Sequence, residues 1–175
     1  TQTDEHIWAE TYDNLISDLF DIQINVAKKI AEALKVEIST NEMSNLNKKP
    51  TENIAAWDYY LKGIEYQSKS YSAENLELAI LYFNKAVESD SAFAESYAKL
   101  SFQHIFLYWL GYIRTDERRQ LAKLALDKGM ELDPENPEVR IARGFYYYYG
   151  FRDYVRALED FRFAQEKFPG NKAYN

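Results

Sequence analysis

Proton and metal chemistry in a chain without cysteine would fall to histidine and the carboxylates, and their spacing here gives them little to work with. The 175 residues contain two histidines. His6 has no acidic neighbour at metal-ligand spacing, and His104 reads as a packed or hydrogen-bonded histidine rather than a ligand or base. The pairs Asp116/Glu117 and Glu131/Asp133 fall at helix ends or on mixed-charge faces, which is the pattern of solvated surface. There is no HExxH, no glycine-rich phosphate loop and no Gly-x-Ser-x-Gly elbow, and Gly63, Gly144 and Gly150 stand singly in helical context. The expectation is therefore a non-catalytic chain with no cofactor and no metal site. One feature asks for another explanation. Phe145-Tyr146-Tyr147-Tyr148-Tyr149 puts five rings in succession, and a helix turns by about 100° per residue, so they cannot all face one core. Some of them must be exposed or contact a partner.

Composition sets the frame for the elements that carry these rings. Apolar residues make up 46% of the chain, enough for a core in a domain of this length. Aromatic residues reach 16%, with 15 Tyr and 10 Phe against 6 Gly and 4 Pro, a profile of helices packed through bulky rings. The net charge of −7 with mixed signs argues against a nucleic-acid phosphate ligand. Without cysteine there can be no disulfide or thiolate metal site, and both a reducing cytoplasm and a disulfide-free periplasmic location fit. No apolar run approaches the roughly 20 residues of a membrane span, so no membrane contact is expected of this chain. Thr1-Gln2-Thr3-Asp4-Glu5 is unlike a basic signal start, which leaves any targeting segment upstream.

An amphipathic helix is predicted over 18–36, where Leu19, Val26, Ile30 and Leu34 recur at helical spacing and Asp18 serves as N-cap. Residues 39–50 lose the pattern and read as a linker. Beyond Pro50 the chain repeats itself. Ala79/Phe83/Ala86, Ala122/Leu126/Gly129 and Ala157/Phe161/Ala164 each place a small, a large and a small residue on one helical face. Small residues there let a neighbouring helix approach, and the large one fills the gap. Ser91, Pro134 and Pro169 stand at the same distance after each motif, following helix stops at Asp90 and Asp133. The preceding helices share a small-x-x-aromatic spacing at Gly63/Tyr66 and Gly144/Tyr147, with Ser101/His104 at the equivalent places.

Three such hairpins in register resemble the tetratricopeptide repeat (TPR), over about 53 to 175. The resemblance implies an all-α fold, a TPR-type α-α superhelix of about three hairpins, with repeats near 53–92, 93–135 and 136–171 and the start of a fourth at Lys172-Ala173-Tyr174-Asn175. Against the TPR pattern, His104 takes a position usually held by Tyr. The first repeat has about four extra residues, placed in its turn around Lys69 to Asn75, and the second about nine, so that its helices are expected to run on through Phe106-Leu107-Tyr108-Trp109. The opening residues carry a second resemblance. His6-Ile7-Trp8-Ala9-Glu10-Thr11-Tyr12-Asp13 and Asp18-Leu19-Phe20-Asp21-Ile22-Gln23 look like the end of a TolB-type amino-terminal α/β domain, which often precedes TPRs in bacterial regulators and nucleotide cyclases. Residues 1–40 are then a remnant of that domain, an orphan strand at His6 to Tyr12 plus a helix, and 41–52 the linker.

The TPR resemblance implies a non-catalytic scaffold that binds a protein or peptide in its concave groove. In register, Tyr147 is expected to face the repeat core. The groove is expected to be lined by Trp57, Tyr60 and Ile64, by Phe102, Ile105 and Phe106, and by Ile141, Phe145, Tyr148 and Tyr149, edged by Glu95 and Glu138. The Lys/Arg/Asn clamp by which some TPRs hold chaperone C-termini is replaced here by Tyr60, Ile64, Ala98 and Phe102. The ligand implied has apolar or aromatic side chains, with a positive charge to meet Glu95 or Glu138. The setting is the sensory or assembly part of a larger bacterial regulator. The alternative is structural: self-association, for instance as a homodimer, with the groove filled by the chain itself or by a second copy.

Overall fold

A computed structural model of the protein describes residues 19–34 and 50–167, and the chain divides into two compact units, Thr1–Lys49 and Pro50–Asn175. In the first, α1 (Leu19–Ala33) occupies the stretch predicted as helix, with Ile30 and Leu34 of its apolar stripe exposed. The orphan strand expected at residues 6–12, the linker at 39–49 and the start of a fourth repeat at 172–175 lie outside the described residues.

The second unit is all-α among its described residues: α2 (Ile54–Lys69), α3 (Ala73–Ser89), α4 (Ala94–Leu110), α5 (Asp116–Leu132), α6 (Pro137–Phe151) and α7 (Tyr154–Lys167). They form three hairpins, α2/α3, α4/α5 and α6/α7, in an α-α array in which α4 also packs on α3 and α6. The helix starts follow local chemistry. Asn53, Ser72, Thr115 and Asn136 each accept a hydrogen bond from a backbone N–H of the first turn, and Pro137 begins α6, where its missing N–H costs nothing. The ends are as clear. Gly111, at φ 82°, closes α4 in the left-handed conformation that suits glycine. Asn53 also donates through Nδ2 to the carbonyl of Ser89 at 2.8 Å, and Thr51 bonds Asp90, so the beginning of the first hairpin is tied to its end.

The small-large-small motifs are the buried seams. Ala79, Phe83, Ala86, Ala122, Leu126, Gly129, Ala157 and Ala164 are all buried. A β-carbon added to Gly63 would lie 2.5 Å from the Phe83 ring, and one added to Gly144 would lie 2.5 Å from Phe161. In the first and third hairpins the large residue of the second helix thus fills a notch cut by glycine in the first helix. Gly129 meets Val139 of the next hairpin, which is the approach between repeats that a small residue permits.

Two expectations are corrected. The extra residues of the first repeat do not lengthen its turn. Capping by Ser72 starts α3 at Ala73, so only Ser70, Tyr71 and Ser72 connect 16- and 17-residue helices. In the second repeat α4 does run through Trp109, as expected. Tyr147 is not the ring that enters the core. Tyr146 is buried there, while Tyr147 lies half-buried at its edge under the Arg156 guanidinium, 4.4 Å from the ring centre.

Candidate functional site

The face shared by α4 and α6 carries a chain of rings in mutual contact. Phe102, Phe106 and Trp109 stand at i, i+4 and i+7 on α4, stacked at 5.2 and 5.5 Å between successive centroids. Phe145 and Tyr149 stack at 5.4 Å on α6. Between the two helices Phe102 meets Phe145 at 5.1 Å edge-on, and Trp109 meets Tyr149 at 4.5 Å. Tyr71 closes on Phe106 at 5.2 Å from the short turn of the first hairpin, and Phe145 is braced by Phe161 of α7. Offset and edge-on pairs of this kind add about 0.5–1.5 kcal/mol each beyond the area they bury. At one end Trp109 remains 49% exposed and Tyr148 42% exposed, so the stripe reaches solvent. Burial raises the pKa of the Tyr149 hydroxyl, aided by the neighbouring Tyr148 and Tyr71, so it stays protonated and able to donate.

At the other end lies a cavity of about 310 Å³, walled by Phe102, Phe145, Ile141 and Tyr71 over Ala98 and Ala142. Its polar edge is Gln67 with an ion pair, Lys99 Nζ to Glu138 at 2.7 Å, that spans α4 to α6. Glu95 accepts a hydrogen bond from the Asn136 amide at 2.8 Å. Both edge carboxylates expected to receive a positively charged ligand therefore already have partners within the chain.

The expected lining residues separate into groups. Phe102, Glu138, Ile141 and Phe145 come together around the cavity, and Tyr148 and Tyr149 lie at the exposed end of the stripe. Trp57 and Tyr60 stack at 5.3 Å around Phe93, at the start of the array, and Ile64 packs on the core beneath. Ile105 and Phe106 correct the expectation. Ile105 is fully buried between α4 and α6 and Phe106 nearly so, because α4 is the central helix and ten of its seventeen residues are buried. Phe106 supports exposed rings without itself offering surface. Gln67, Tyr71, Lys99, Trp109 and Ala142 were missed as lining, and Ala98 was read only as a position where a clamp residue is lacking. Trp109 was visible as the next i+7 step after Phe102, but Tyr71 fell in a stretch taken for a loop.

His104 is buried, and its Nδ1 faces the Arg118 guanidinium at 3.0 Å, which in turn pairs with Glu77. Burial first and Arg118 second lower its pKa to about 4, so the ring is neutral near pH 7 and accepts from Arg118. A second buried ionic group went unread in the sequence. Asp160, nearly inaccessible, takes a two-pronged contact from Arg143 at 2.6 and 2.8 Å, with Arg140 Nε at 3.2 Å. The hydrogen bond to Asp160 is the main reason the Arg143 pKa is raised. Both groups join helices. Among the described residues no cluster of three His, Asp or Glu has metal-binding geometry, and no helix is long and apolar enough to cross a membrane.

No family model matches the chain. Over 99 residues, 57% of this chain, it is 26% identical to a Rhizobium meliloti (strain 1021) protein named "Putative adenylate cyclase 3", and the match spans only 17% of that protein's length. Among solved structures, the TPR domain of Arabidopsis OM64 aligns with 70% of this chain and 89% of its own at 23% identity, with a TM-score of 0.48.

Proposed function

We propose that the chain is a non-catalytic protein- or peptide-binding scaffold whose contact surface is the α4/α6 face, from the Ala98/Ala142 cavity to Trp109. The observation that carries this reading is the continuous ring chain that begins in an open cavity and ends in half-exposed Trp109 and Tyr148. Aromatic side chains combine large contact area with few rotatable bonds, and a contiguous exposed set of them marks an interaction site more often than idle surface. Trp57 and Tyr60 belong to a separate cluster and lie outside the proposed contact.

The 26% identity to part of a bacterial protein named for cyclase activity supports a place in a larger bacterial regulator, as its sensory or assembly part. The TolB-like residues upstream of the repeats favour the same setting. The test is a displayed-peptide selection on the chain, counter-selected on a Trp109→Ser/Tyr148→Ser variant shown by circular dichroism to be folded. Peptides rich in apolar or aromatic residues that bind the chain and not the variant are expected. If selected peptides bind both equally, the contact surface lies elsewhere. If none is selected and light scattering shows a dimer that the variant abolishes, the face is a self-association contact instead.

A further inference from the structure

The three first helices can be compared position by position, and one register differs in size. Where the first hairpin has Tyr60 and the third Ile141, the second has Ala98. Tyr60 fills its own site, its ring 5.0 Å from Phe93 and 5.7 Å from Phe83. Ala98 leaves the corresponding space open, and the 310 Å³ cavity stands above it. Ala142 beside it is also small and nearly fully buried, so the floor is backbone and methyl groups, while Phe102 and Phe145 form an edge-to-face wall. The mouth bears one cation and one anion, Lys99 and Glu138, which neutralise each other across it, and the neutral amide of Gln67.

We infer that this cavity is the specificity pocket of the scaffold, taking one large uncharged side chain, aromatic by preference, from an uncharged stretch of the partner; the inference rests on the groove reading above. The absence of surplus charge at the mouth decides the chemistry. A charged side chain would enter an apolar space unpaired, or gain a counter-charge only by breaking the Lys99–Glu138 pair and stranding its other member. A neutral ring gains the Phe102 and Phe145 faces and the Ala98/Ala142 floor. The peptide groups on either side of it find a donor in Lys99 and an acceptor in Glu138 without separating the pair.

The experiment titrates the full chain, labelled with nitrogen-15, with acetyl-Gly-Trp-Gly-amide, acetyl-Gly-Ala-Gly-amide and acetyl-Gly-Glu-Gly-amide. The tryptophan peptide is expected to shift the amides of Ala98, Phe102, Ala142 and Phe145 saturably. The other two should leave them unmoved at the same concentrations. Ala98→Leu fills the cavity and should weaken the tryptophan peptide at least tenfold. Lys99→Met, which leaves the floor intact, checks the mouth and should weaken it severalfold even if the Leu variant does not fold. Shifts confined to Trp109, Tyr148 and Tyr149, with Ala98 and Ala142 still, would overturn the pocket and leave the groove reading standing. Stronger binding of the glutamate peptide would overturn the chemistry assigned to it. No shift on α4 or α6 with a peptide from the displayed selection would remove both.

Discussion

The first and third hairpins solve one packing problem with different chemistry. In the first, the gap between helices is closed by rings: Tyr66 stacks on Tyr82 at 5.4 Å, Tyr59 lies 6.5 Å from Tyr82, and Lys85 sits over both Tyr59 and Tyr82. At the equivalent places the third hairpin puts Arg140 for Tyr59, Asp160 for Tyr82 and Phe163 for Lys85. There a buried carboxylate holds two guanidinium groups, and Arg140 lies 4.2 Å over Phe163, so cation and ring have exchanged helices. The neighbours differ as well. Leu76 and Ile80 of α3 are buried, Ile80 at 6% exposure, whereas their counterparts Tyr154 and Leu158 on α7 are 57% and 47% exposed. A repeat takes much of its stability from the repeat packed on it, and hairpin one has α4 where α7 shows an open face.

Substitution at matched positions should separate the two. Leu76→Ala empties a fully buried site next to α4 and is expected to cost about 2–5 kcal/mol in chemical unfolding, whereas Leu158→Ala should stay under about 1 kcal/mol. Equal losses would mean that α7 is covered as α3 is. Asp160→Asn leaves two guanidinium groups without their counter-charge and is expected to cost about 2–3 kcal/mol, below the full figure for a buried pair because both arginines are partly exposed. Tyr82→Phe, its counterpart, should be nearly neutral, since stacking on Tyr66 survives. Gly63→Ala forces a β-carbon onto fully buried Phe83 and should destabilise by about 1–2 kcal/mol. Gly144→Ala should cost less, because half-buried Phe161 has room to yield.

The second hairpin adds a pH dependence through its buried histidine. His104 has its pKa lowered from 6.5 to about 4 by burial and by Arg118, so unfolding releases a ring that binds protons more readily. Its contribution is full above pH 6.5 and is lost as the pH falls toward 4, to a limit of about 3 kcal/mol. Urea unfolding of the chain and of His104→Gln at pH 7.5 and pH 4.5 checks the sign. The gap between the proteins should narrow at the lower pH.

How much of this was legible follows from where the signals lay. The three small-large-small seams were readable, because the helical period is a local fact of sequence. Helix α4 was foreseen to run long, but the burial of most of its residues was not. That depends on α2, α3, α5 and α6 together, and it removed Ile105 from the expected surface. Asp160 carried no signal in the sequence, since nothing along the chain says that Arg140 and Arg143 lie opposite it. The Ala98 cavity was in plain view as a small residue in the register of Tyr60 and Ile141. Its meaning emerged only once Phe102, Phe145 and the Lys99–Glu138 pair stood around it.

The most direct test of the central claim measures, by titration calorimetry, a peptide from the displayed selection on variants of the two ring clusters. With α4/α6 as the binding face, Phe145→Ala and Trp109→Ala should each weaken binding at least tenfold, and Trp57→Leu should leave it within about twofold. The reverse pattern, with Trp57→Leu abolishing binding and the α4/α6 variants indifferent, would contradict the account and move the site to the first hairpin.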